Sequence, residues 1–115
     1  MKNEIITYSA GISTALNNLC EISIKLSNLR KRNRLISAAQ LRQLENAVAA
    51  VLIMDNMNHI SHLEIQSRMH IRSSVEEYKK YAGTPFGDYL LEEIQEEAKY
   101  YRDCINDYVI MSKRS

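Results

Sequence analysis

In the first thirty residues of this chain Ile5, Tyr8, Ile12, Ala15, Leu19, Ile22, Leu26 and Leu29 fall on alternating three- and four-residue steps without a miss. A helix turns once in about 3.6 residues, so this spacing gathers the apolar side chains into a single seam. An a/d repeat held over four heptads specifies a helix that must lay its seam against other helices. The rest of the chain offers little to oppose that outcome. Its 115 residues include one proline and three glycines, and no segment shows strand alternation or internal repetition.

Helix ends are marked by local chemistry. Arg30, Lys31 and Arg32 sit where the negative end of a helix dipole favours cations, and Asn33 suits a left-handed cap, so the first helix ends near Arg32. Ser37 and Gln40 make a complete capping box, with Ile36 and Leu41 placed as its hydrophobic staple, and open the second helix. A link of a few residues makes these two helices an antiparallel hairpin. The second helix runs through Leu41, Leu44, Val48, Val51 and Leu52 towards Ile71. Ser73 with Glu76, or Ser74 with Glu77, then offers a second capping box, so either a short third helix begins there or the second helix continues to Tyr81; we expect the break, at Ile71–Ser74. Gly83 closes that segment. Thr84 and Pro85 read as an N-cap followed by proline at the first helical position, and the last helix carries Leu91, Ile94, Ala98, Tyr101, Ile105 and Tyr108 on one face. The expected fold is all-α, an antiparallel helical bundle of three long helices plus one short helix, forming a single domain over residues 1–115.

Charge and composition exclude several classes of function. A net charge of +1 supplies no global attraction to nucleic acid or to an anionic surface. The uncharged stretch from Ile5 to Cys20 is interrupted by Ser, Thr and Asn, unlike the apolar region of a signal peptide, and the apolar run from Ala47 to Met54 is too short to cross a bilayer. The expectation is a soluble, cytoplasmic chain with no membrane association. Cys20 and Cys104 are too isolated for a disulfide framework or a zinc site and read as two free thiols. No glycine-rich phosphate loop or nucleophile elbow is present. His59, His62 and His70 have no serine, cysteine or glutamate at a spacing that dictates an acid–base pair, so no enzyme activity and no cofactor are expected.

Three clusters remain as candidates for recognition. Asp55, His59, His62 and Gln66 share one helical face, where imidazole and carboxylate at one-turn spacing suit zinc or iron. The Glu-x-x-His pairs of di-iron bundles and the His-Glu-x-x-His run are both missing. The simpler reading is that the apolar stripe rotates onto Met57, Ile60, Leu63 and Ile71 and leaves the polar face in solvent, so no metal is assigned. Arg30, Lys31, Arg32, Arg34 and Arg42, with Lys25, form a basic corner at the first hairpin's tip that could contact a nucleic-acid backbone or another anion. No aromatic residue interleaves it, and dipole compensation already accounts for half of these residues.

The third cluster is the favoured one. In the last helix Asp88, Glu92, Glu93, Glu96, Glu97, Asp103 and Asp107 gather opposite the apolar stripe, with Tyr89 and Tyr100 among them. Tyr89, Glu93, Glu96, Glu97, Tyr100 and Asp107 are therefore the expected partner-binding residues. Like charges one turn apart cost a few tenths of a kcal/mol each. Tyrosine framed by carboxylates is the composition of a surface that meets a basic protein partner. The function expected is a non-catalytic protein–protein interaction module, acting as an adaptor, a chaperone-like cap or an inhibitor. Because the run from Ala47 to Met54 is apolar around nearly the whole helix, a homodimer is expected as well. The alternatives are a nucleic-acid-associated regulator using the basic corner, and a metal-binding protein at Asp55, His59 and His62.

Overall fold

The computed structural model describes the backbone of residues 2–56 and 65–114 and the side chains of residues 11–54 and 71–107. Four helices account for nearly all of it: α1 (Lys2–Lys31), α2 (Ala38–Asn56), α3 (Ile65–Tyr81) and α4 (Pro85–Arg114). There is no strand among the described residues. α1 and α4 are 30 residues each, whereas α2 has 19 and α3 has 17. The long dimension of the molecule, 49 Å, is close to the ~45 Å that a thirty-residue helix spans.

The helices form a ring in which α1 touches α2 and α4, while α3 touches α4 and α2. The α1/α4 seam is antiparallel, as three cross-links show. Ser13 Oγ donates to Asn106 Oδ1 at 3.0 Å, Arg102 Nη1 to Asn17 Oδ1 at 3.0 Å, and Arg30 Nε to Asp88 Oδ1 at 2.8 Å. With short links at both hairpins the order is up, down, up, down. The a/d seam is buried as its period requires, with Ile12, Ala15, Leu19 and Leu26 in the core, and it widens to take in Leu16, Cys20 and Ser23. Across from it α4 buries Leu90, Leu91, Ile94, Ala98, Tyr101 and Ile105. Cys20 is a buried free thiol and Cys104 an exposed one.

Local signals set both hairpin ends. Asn33 adopts φ 58°, and the Arg34 N–H bonds the Leu29 carbonyl at 3.0 Å while the Asn33 N–H bonds that of Arg30 at 2.9 Å, which completes a Schellman motif. The Ser37 N–H donates to Gln40 Oε1 at 2.8 Å and the Gln40 N–H to Ser37 Oγ at 3.1 Å, so the capping box is closed in both directions. Gly83, with φ 88°, ends the second hairpin's first arm, and the Gly87 N–H donates to Thr84 Oγ1 at 3.1 Å to cap α4.

The break expected at Ile71–Ser74 is absent, because α3 runs unbroken from Ile65 to Tyr81. Ile71, Ser74, Val75 and Tyr78 recur at helical spacing and are all buried. Burying that continuous stripe outweighs a capping box, which contributes only where the backbone already leaves the helix. The apolar run of α2 is also resolved into faces. Ala47, Val48 and Val51 are in the core, whereas Ala49 and Ile53 remain exposed and line a groove between α2 and α3 with Val75 and Arg72. Lys79 Nζ reaches Glu45 Oε1 at 3.3 Å across the same two helices.

Tyr78 is fully buried and its hydroxyl has no hydrogen-bond partner among the described residues. Burial, with the Asp88 carboxylate nearby, pushes its pKa from 10 up to about 12, against a smaller opposing pull from Arg30. An unpaired buried hydroxyl is unfavourable, so Tyr78→Phe is expected to stabilise the protein by about 1 kcal/mol near neutral pH. The sign at high pH follows from linkage. Folding holds the phenol protonated, so wild-type stability is unaffected below the unfolded pKa of 10 and falls as pH rises through about 12. Denaturant melts at pH 7 and pH 11.5 check this: the variant's advantage should be larger at the higher pH, and a destabilised variant at pH 7 would refute it.

Candidate functional site: the outer face of the last helix

Capping at Thr84 and Pro85 fixes the rotation of α4, and burial of Leu91, Ile94, Ala98 and Ile105 turns the opposite side to solvent. Along that outer side Tyr89, Glu93, Glu96, Tyr100, Asp103 and Asp107 follow steps of four, three, four, three and four residues. Each step of three or four returns to the same side of a helix, so the six form one line about 27 Å long. None is buried, and Tyr89 and Tyr100 are 55% and 63% exposed. The arrangement is a strip of carboxylates with one aromatic ring at its start and a second just past its middle.

Electrostatics within the strip are local. The Glu93 carboxylate one turn on raises the Tyr89 phenol's pKa, first as a hydrogen-bond acceptor for it and then through its negative charge. Asp103 Oδ1 accepts from Arg102 at 3.3 Å, and Arg102 is itself tied to Asn17 of α1. Tyr100 meets Tyr101 edge-on at 5.5 Å, so an exposed ring rests on a buried one. Of the residues expected from sequence, Tyr89, Glu93, Glu96, Tyr100 and Asp107 lie on the line. Glu97 lies on its flank and is half-buried, and Asp103 joins the line as a further member.

Sequence reasoning missed the apolar end of this strip. Phe86 stands three residues before Tyr89, stacks against it at 6.3 Å, and meets Tyr81 of α3 edge-on at 4.9 Å. Phe86 is 46% and Tyr81 43% exposed. The step of three from Phe86 to Tyr89 is readable in the sequence, but the contact with Tyr81 appears only once α3 and α4 are brought together.

The basic corner is split by function. Arg30 is turned inward, with Nε on Asp88 Oδ1 at 2.8 Å, Nη2 on the Gly83 carbonyl at 2.9 Å and Nη1 on the Arg34 carbonyl at 3.2 Å. It ties both hairpin turns to α4, and its pKa is raised chiefly by the Asp88 bond. Lys31, Arg32, Arg34 and Arg42 stay exposed, as does Lys25. Of the candidate metal cluster, His59 and His62 lie outside the described residues, as do the side chains of Asp55 and Gln66. Among the described residues no group of three His, Cys, Asp or Glu is placed to hold a metal ion, and no helix is long and apolar enough to cross a membrane.

Comparison with protein families, with characterised proteins and with solved structures finds no match to this chain.

Proposed function

We propose that this chain is a non-catalytic protein–protein interaction module that binds a basic surface on another protein through the outer face of α4. The observation that carries the reading is the line of Tyr89, Glu93, Glu96, Tyr100, Asp103 and Asp107, exposed except for a half-buried Glu93 and without a cation in it. A helix face serving solubility alone gains nothing from like charges placed one turn apart, which repel. Facing a cationic partner the same charges attract, speed encounter and set orientation, while tyrosine supplies contact area at low entropic cost. Among the described residues the α1 seam is buried or half-buried in the core, which supports an adaptor or inhibitor using this outer face over a chaperone-like protein offering its seam.

A cationic amphipathic peptide, with Lys and Arg at one-turn spacing around a leucine stripe, is the probe. Titrated into the labelled protein, it should shift backbone amide signals from Tyr89 to Asp107 and leave α2 unchanged. Combined replacement Glu93→Gln, Glu97→Gln and Tyr100→Ala should weaken binding about tenfold or more with helicity and melting preserved. Shifts confined to other helices, or equal binding by the variant, would overturn the reading. Loss of the fold in the variant would instead assign these residues a structural role.

A further inference from the structure

Both hairpin turns lie at the same end of the bundle, joined there by Arg30. Of the seven large hydrophobic residues exposed among the described residues, four are at this end: Leu35, Tyr81, Phe86 and Tyr89. Leu35 is 80% exposed, and its Cδ2 lies 3.5 Å from where a side chain on Gly83 would begin, so it rests against the second turn. The three rings are in mutual contact through Phe86. A cluster of this kind on one end of a small helical protein is more than scattered surface apolarity.

The margins of the patch carry opposite charge. On the α1 side stand the exposed cations Lys31, Arg32 and Arg34, the last next to Leu35 in the chain. On the α4 side stand Glu92 and Glu93, one turn beyond Tyr89. Asp88, which lies between, is already neutralised by Arg30. A patch with cations along one edge and carboxylates along the other is self-complementary under a twofold rotation. Each copy's Arg32 and Arg34 then meet the other copy's Glu92 and Glu93, and the apolar centres face each other. A partner of a single sign matches only one edge.

We propose that this end of the bundle binds a second copy of the same chain as a twofold dimer, with Leu35, Phe86 and the two flanking tyrosines as its apolar centre. Desolvation of that centre supplies the affinity, and the charged rim sets the orientation. The dimer face shares Tyr89 and Glu93 with the α4 strip, whereas Leu35, Arg32 and Arg34 take no part in that strip, so the variants at these three positions read the dimer independently of peptide binding.

Sedimentation across a dilution series tests it. The wild-type chain should dimerise, and Leu35→Asp should weaken the dimer about tenfold or more. Two charge-reversed variants, Arg32→Glu with Arg34→Glu and Glu92→Lys with Glu93→Lys, should each pair poorly alone. Mixed in equal amounts they should form a heterodimer, because both rims are then complementary. Circular dichroism on each variant verifies that the helices persist. A wild-type monomer at every concentration, a dimer indifferent to Leu35→Asp, or no recovery on mixing would each overturn the proposal. Failure of the cationic peptide to bind would leave these results unchanged.

Discussion

Arg30→Ala is expected to lower the melting temperature by about 5–10 °C, a large shift for one side chain near the surface of a chain this size. The guanidinium touches both hairpin turns and α4 at once. Three of its nitrogens are used: one on Asp88, one on the Gly83 carbonyl and one on the Arg34 carbonyl. Its side chain is 13% exposed and that of Asp88 39%, so the pair sits where water competes only in part. Truncation leaves a carboxylate and two carbonyls to find new partners in a part-buried corner. Arg30→Lys should recover little, because an ammonium on a flexible stem cannot reproduce a planar fork aimed at three acceptors. Thermal melts followed by circular dichroism decide the matter, and an unchanged midpoint for Arg30→Ala would show the corner to be dispensable.

Gly87→Ala is expected to destabilise the fold by about 1–3 kcal/mol, the range for forcing extra volume into a packed site. The usual expectation for glycine inside a helix is the reverse, a gain of about 1 kcal/mol on replacement by alanine. Gly87 is buried in the first turn of α4, and a methyl group there would press on the Tyr81 carbonyl group, 2.7 Å from its carbon, and lie 3.2 Å from Ala82 Cα. Those are backbone atoms of a tight turn already fixed by Gly83 and Thr84, so the turn itself must shift. Gly11 supplies the contrast. A methyl there would meet the terminal methyl of Met54, the end of a flexible side chain that can move aside. Denaturant unfolding of the two alanine variants should therefore separate them, with Gly11→Ala near wild type. A stabilised Gly87→Ala would refute the packing argument.

What could be read from the chain divides along the range of the forces involved. Junctions built within six residues were legible: the left-handed cap at Asn33, the Ser37–Gln40 box and the Thr84–Pro85 start each act through atoms close in sequence. The outer line from Tyr89 to Asp107 was legible too, because helical period alone places it. Ser73 and Ser74 misled for the complementary reason. Their capping signal was local, while the burial of Ile71, Val75 and Tyr78 that carries α3 through depends on α2 and α4. Arg30 was read as one of several cations at a helix end, since its partner Asp88 stands 58 residues away. The apolar patch at Leu35 and Phe86 has no period to announce it. It exists only once two separate turns are brought to the same end of the bundle.

The ring order of the helices bears on how the protein comes into being. α1 and α4, the first and last helices, are direct neighbours, and they share the longest seam. Most contacts of the α1 seam with α4 are thus between residues far apart in the chain, a non-local topology for an all-helical protein. During synthesis α1 emerges before α4, with Ile12, Leu16 and Leu19 bared along one side. Until α4 follows, only α2 is there to cover them. The nascent chain thus carries an open apolar flank until α4 has been made, and the ring closes only then.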